Sequence, residues 1–310
     1  MLAGAVLRAQ DIEVTFICFV TPFYGAARAR EAAAQLDLSL KVVDLFEKFY
    51  PLLYSPPHGF GKGHNPCIDC HALMIRETGL VMVAEGFDFV FTGEVLGQRP
   101  MSQNRGSLNL VAKESGLAKL LLRPLSAKLL RPTRPEFEGW VDRERLLNLS
   151  GRGRKRQIAL AADCGITHYP NPAGGCLLTD PGFALRIKEL LRHQERASRR
   201  DLELLKWGRH FRLSGGAKAV VGRTERDNDA IFPLKAPGDH GLNVEDFPGP
   251  LVLVIGAATD ADLREAAGLA AAYSDAPLGA SVRVSVETGG AVRILHLETP
   301  GKERFKNWLI

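Results

Sequence analysis

Glu13-Val-Thr-Phe-Ile-Cys-Phe-Val20 is a continuous apolar and β-branched run, the pattern of a strand buried on both faces, and Thr21-Pro22 closes it. Alternation follows. Ala26 to Leu36 is Ala-rich with helical spacing, Leu40 to Leu45 is strand-like, Ile68 to Glu85 reads as a long helix, and Phe87 to Thr92 is another short apolar strand. The β-α-β-α-β order predicts an α/β first half built on a parallel, helix-covered sheet. Beyond Pro181 the texture changes. Phe183 to Lys206 reads as a charged helical connector. Val220-Val221, Leu251 to Ile255, Val282 to Val286 and Val292 to Leu297 are short strand signals punctuated by Gly and Pro, with an Ala-rich helix from Ala261 to Tyr273 among them. This predicts a domain at 1–182, a helical connector at 183–204 and a smaller α+β domain at 205–310.

With 310 residues, 45% of them hydrophobic and 24% charged, the chain is long enough for about two domains with cores of their own. Its five cysteines are an odd number without a secretory leader, which argues against a disulfide framework and for reduced thiols in a cytoplasmic setting. Met1 to Ala9 is apolar but too short to span a membrane. The formal net charge is +5, and it is unevenly spread: Lys119 to Arg156 holds eleven Lys/Arg against four acids. That stretch ends in Gly151-Arg-Gly-Arg-Lys-Arg156, where Arg152, Arg154, Lys155 and Arg156 are dense enough to hold a nucleic-acid backbone.

The segment richest in chemistry is Gly63-His-Asn-Pro-Cys67-Ile-Asp-Cys70-His71, to be paired at a distance with Ala173-Gly-Gly-Cys176. A Cys-x-x-Cys at a turn-to-helix junction brings both sulfurs to one centre, and a helix N-terminus favours thiolate, the form that binds metal or attacks. Asn65-Pro66 initiates a turn, and Gly174-Gly175 gives the backbone freedom to present Cys176. Three readings are open for Cys67, Cys70 and Cys176. They are ligands of an iron–sulfur cluster with one open iron, a nucleophile and resolving thiol working through a persulfide, or ligands of zinc completed by His64 or His71.

Thr92-Gly-Glu-Val-Leu-Gly-Gln98, Met101-Ser-Gln103 and Leu122-Arg-Pro-Leu125 follow one another in an order that resembles the 4-thiouridine tRNA synthases of the PP-loop ATP pyrophosphatase family. The Asn-Pro-Cys-x-x-Cys and Gly-Gly-Cys elements are similar to those of the related 2-thiouridine synthases. The resemblance covers about residues 1 to 180 and implies a Rossmann-like (HUP) parallel-sheet domain. It implies ATP and Mg2+ as cofactors, with a [4Fe-4S] cluster or zinc at the cysteines. Its reaction adenylates a tRNA uridine carbonyl oxygen, after which sulfur from sulfide or a cysteine desulfurase relay displaces AMP. Carried over residue by residue, Cys18 and Phe19 would border the adenine through their backbone, and Gly93 would let the nucleotide approach. Gln98 and Gln103 would supply polar contacts, and Arg76 would face the phosphates. The Ser-Gly-Gly-x-Asp-Ser loop that opens that family is missing before Met1, so the resemblance is to an N-terminally truncated domain. A misplaced start codon and a non-catalytic RNA-binding paralogue are the two expectations that follow.

The last third has a likeness of its own. Val220-Val-Gly-Arg223-Thr-Glu-Arg-Asp-Asn228-Asp, Val244-Glu-Asp-Phe-Pro-Gly249 and Glu265-Ala-Ala-Gly-Leu-Ala-Ala-Ala-Tyr273-Ser274 look like the NFACT-R domain, a module associated with RNA. The resemblance runs over about residues 205 to 310 and implies Arg223 and Asn228 as RNA contacts.

Overall fold

The computed structural model describes residues 1–169 and 175–310. The chain divides into two compact units, Met1–Asp180 and Pro181–Ile310.

In the first unit, helix α1 (Leu2–Arg8) leads into strand β1 (Thr15–Val20). Helix α2 (Ala27–Gln35) then returns the chain to strand β2 (Ser39–Asp44), which lies parallel to β1 in a register running from Thr15 opposite Ser39 to Val20 opposite Asp44. A short α3 (Phe46–Phe49) precedes the long α4 (Cys67–Glu85), which stops where Gly86 takes φ +76°, the left-handed cap that glycine adopts without steric cost. Strand β3 (Val90–Phe91), helix α5 (Arg105–Glu114) and strand β4 (Leu121–Leu122) make a second parallel pair, followed by α6 (Arg134–Phe137) and α7 (Lys155–Asp163). Ile75, Met82, Val90, Val111 and Leu121 pack α4 and α5 onto this pair.

The expected helix-covered parallel sheet is not formed, and the PP-loop, Rossmann-like reading of the first unit is thereby corrected. Its parallel strands fall into two separate two-stranded sheets, β1–β2 and β3–β4. β1 and β3 meet through side chains and not through backbone: the Phe16 and Phe91 rings lie 6.4 Å apart beside a cleft of about 950 Å³ that both strands line, and no ladder joins the strands. β1 is also mostly half-buried rather than buried on both faces.

The dominant sheet of the molecule is antiparallel and lies in the second unit. Helices α8 (Pro181–His193) and α9 (Arg199–Leu204) precede strands β5 (Arg209–Arg212) and β6 (Lys218–Val221). Helix α10 (Glu225–Ile231), strands β7 (His240–Val244) and β8 (Val252–Ile255), helix α11 (Asp260–Tyr273) and the hairpin β9 (Ser281–Thr288)–β10 (Ala291–Glu298) complete it. The six strands run in the order β10-β9-β7-β8-β6-β5. α11 starts at a capping box in which Thr259 and Asp262 satisfy each other's backbone donors. It lies across one face of the sheet, burying Leu263, Ala266, Leu269 and Ala270 against Val252, Val254, Val282, Val284 and Val286. Each such fully buried valine or leucine contributes about 1.5–3 kcal/mol. Over β6 and β8 the other face is covered by Leu204 of α9 and Ile231 of α10, which pack on Val220 and Leu253. Glu189 of α8 ties that helix to the sheet through Arg212 and the buried Lys218. Among the described residues no helix is long and apolar enough to cross a membrane.

Candidate functional site

Cys67 is the first residue of α4 and accepts a hydrogen bond from Asn65 Nδ2 at 3.1 Å, while Cys70, one turn on, lies 3.8 Å from the Tyr24 hydroxyl. Cys176, between Gly175 and a 3-10 turn at Leu177–Thr179, is the third member: its charge would be felt by both α4 cysteines. The structure therefore brings Cys67, Cys70 and Cys176 into one neighbourhood and adds Tyr24, which sequence reading did not single out. Ala173 and Gly174, read as part of the presenting loop, lie outside the described residues.

The electrostatics differ from those expected of thiols at a helix start. Burial pushes the Cys70 thiol up to about 12; the Tyr24 hydrogen bond lowers it, and the neighbouring Cys176, Cys67 and Asp69 raise it further. Burial likewise pushes Cys176 up to about 11, only partly countered by the Leu178 amide and by Arg99. Desolvation of a thiolate outweighs a helix terminus that makes only short-range contacts, so Cys70 and Cys176 are held protonated at neutral pH. Tyr24 is raised as well, first by its own burial. Among the described residues no group of three or more His, Cys, Asp and Glu is placed to hold a metal ion. His64 turns Nε2 to the Leu53 carbonyl at 2.8 Å, and His71 turns Nδ1 to Glu94 at 3.1 Å.

That last contact opens a network built from the Thr92-Gly-Glu94 and Arg123-Pro-Leu125 segments. Glu94 and Arg123 are each only 7% exposed. The Glu94 carboxylate accepts from Arg123 Nε at 2.8 Å, from Thr92 Oγ1 at 3.0 Å and from the His71 ring, and Arg123 also donates to the Leu108 carbonyl. Burial alone would raise the Glu94 carboxyl, but the His71 and Arg123 interactions more than offset it and hold it at about 2. The two most recognisable segments of the first unit thus meet in a buried ion pair.

Of the residues expected around a nucleotide, Phe19 and Gly93 line the same cleft. Cys18, on β1, has its thiol raised by burial and turned to the Phe19 carbonyl, and Phe19 is itself buried. Gly93 has open space where a Cβ would stand and borders the cleft beside β1. Gln98 donates to Gln157 Oε1 at 3.1 Å, while Gln103 is buried with its side-chain oxygen unpaired among the described residues. Arg76 reaches across to the Glu114 carbonyl at 2.7 Å, capping the C-terminus of α5.

The basic residues divide by context. Arg152 and Lys155 are exposed at the start of α7, Arg154 lies over the Tyr169 ring, and Arg156 donates to Asn148. In the second unit Arg223 pairs with Asp227 at 3.1 Å through a side chain 47% exposed, and Asn228 Oδ1 accepts from the Leu251 amide. Arg223 thus closes the turn between β6 and α10, and Asn228 ties α10 to the residue before β8.

No curated protein sequence matches the chain. Of the solved structures, the C-terminal part of the fibronectin/fibrinogen-binding protein from Streptococcus suis (FBPS) aligns over 78% of this chain and 94% of its own. The identity is 17% and the TM-score 0.31, too loose a likeness to assign a fold. Residues 208–309, wholly inside the second unit, match the family model described as the NFACT protein RNA binding domain, and it is to that domain that the C-terminal part of the chain is similar.

Proposed function

We propose that this protein binds RNA through its second unit, with tRNA as the class of partner, and that the first unit acts as an accessory body rather than as a nucleotide-hydrolysing enzyme. The observation that carries the reading is the match of residues 208–309 to an RNA-binding family model, within a unit that has its own sheet and its own buried core. The exposed Arg152 and Lys155 of the first unit add basic groups available to a polyanion. Fluorescence anisotropy with a labelled tRNA transcript tests it. The logarithm of the affinity should fall linearly with the logarithm of salt concentration, by about 0.7–0.9 in slope per phosphate neutralised. Absence of salt-sensitive binding at low ionic strength would overturn it.

The three-cysteine neighbourhood is the one observation favouring a second reading, in which a desulfurase relay hands sulfane sulfur to one of Cys67, Cys70 and Cys176 as a persulfide. The persulfide would attack a uridine carbonyl carbon whose oxygen ATP has converted to an adenylate, AMP would leave with that oxygen, and a second cysteine would release the sulfur to the base by closing a disulfide. With Cys70 and Cys176 protonated at neutral pH, such chemistry needs a base or a bound metal to release thiolate. Nucleoside mass spectrometry of tRNA from cells carrying Cys176→Ala separates the two readings. Loss of a thionucleoside with RNA affinity intact supports the second, and an unchanged nucleoside profile supports the first.

A further inference from the structure

Residues 208–309 hold twelve Lys/Arg against thirteen Asp/Glu, so bulk charge does not explain attraction to RNA and the arrangement of the cations has to. Seven of the twelve are neutralised locally: Arg212 and Lys218 by Glu189, Arg223 by Asp227, Lys235 by Glu287, Arg283 by Asp246, Arg293 by Asp260, and Lys306 by Glu303. Arg209, Arg226, Arg264, Lys302 and Arg304 make no ion pair among the described residues. Four of these five gather around α11 and the C-terminal 3-10 turn Lys302–Trp308. Arg209 lies 4.9 Å and Lys302 5.3 Å from the centre of the Tyr273 ring, at the last residue of α11. Arg264 and Arg304 line one cleft of about 530 Å³ together with His296 and with Glu298 and Glu265, the latter engaged by the Ser214 amide and hydroxyl.

Resting on the RNA-binding reading above, we infer that this surface is the RNA track: Tyr273 with Arg209 and Lys302 takes a base and its flanking phosphate, and the Arg264–Arg304 cleft takes a second phosphate. Both cations lie over the ring, so the base stacks on the Arg209 guanidinium plane that Tyr273 backs, a contact tolerant of sequence. Nine residues separate Arg264 from Tyr273 on α11, about 14 Å at 1.5 Å per residue, so the two points sit on one rigid element and fix the direction of the strand. Cations without a protein counter-charge are the ones that release condensed counterions when a phosphate arrives, whereas paired ones must first break a salt bridge. Arg223, held by Asp227, is of the second kind.

The test uses the full chain with two fluorescein-labelled probes, a tRNA transcript and an oligouridylate, across a salt series. The variants are Arg209→Gln with Lys302→Gln, Arg264→Gln with Arg304→Gln, and as charge-matched control Lys188→Gln with Arg226→Gln, two cations elsewhere in the same unit. Tyr273→Leu removes the ring and should weaken binding of both probes roughly tenfold. Each of the first two doubles should weaken binding of the tRNA transcript roughly tenfold and lower the salt slope by about 1–2, while the control changes affinity less than twofold. The oligouridylate should show the same ranking, since the platform reads single strands. If the parent binds RNA and both track doubles bind like the control, the track is wrong and RNA binding stands. If the parent binds neither probe, the RNA-binding reading itself falls and the track with it.

Discussion

Glu94 shows how a residue quoted for its motif comes to matter for stability. Its carboxylate is buried beside Arg123 and His71 and held at about 2, against an ordinary 4.5. A carboxyl depressed on folding stabilises the native state fully above its unfolded value, and that stabilisation is lost as pH falls through the interval from 4.5 towards 2. Removing one partner of a buried pair strands the other charge, which costs about 3–5 kcal/mol. Glu94→Gln is therefore expected to lower the unfolding free energy at pH 7 by that amount and to flatten the acid limb of the stability curve, as followed by urea melts between pH 2 and 7. Cys67, Cys70 and Cys176 were legible in the sequence as a group, and in the structure each lies within electrostatic reach of another. Their protonation was not, because burial decides it, opposed at Cys70 by a hydrogen bond with Tyr24, forty-six residues away in sequence.

At the scale of elements, local pattern located segments better than it assembled them. The run ending at Val20 contains β1, the segment from Ile68 to Glu85 is α4 but for its first residue, and the Ala-rich stretch from Ala261 to Tyr273 is α11 but for its first. The pairing of strands was misread, since alternation of apolar runs with helices carries no information about whether β1 and β3 come within hydrogen-bonding distance. β5 and β7 were missed: Arg209-His-Phe-Arg212 and His240-Gly-Leu-Asn-Val244 are too polar to look like strands, and both are ordered by their neighbours in the sheet. α11 shows a packing demand that composition hides. A Cβ on Gly268 would stand 3.0 Å from the Phe305 ring, so this glycine is what lets the C-terminal 3-10 turn lie against the helix. Gly268→Val should push Phe305 out and cost about 1–3 kcal/mol by overpacking. Near-ultraviolet circular dichroism of the nearby Trp308, 5.4 Å from Phe305, would register the displacement as a weakened band.

For the whole molecule, the division at Asp180–Pro181 separates a unit of small parallel pairs from one with a six-stranded antiparallel sheet and a continuous apolar core. Texture changes after Pro181 are visible in the sequence, but the weight of the fold lies in the second unit, where the strand signals were shortest. The RNA-binding account places the function there too. The measurement that tests it most directly compares tRNA binding by the full chain with that of two separate fragments, Met1–Asp180 and Pro181–Ile310, each first checked for folding by circular dichroism. Most of the affinity and most of the salt slope should stay with Pro181–Ile310. Binding that stays with Met1–Asp180, or that a folded Pro181–Ile310 fragment lacks, would contradict the account.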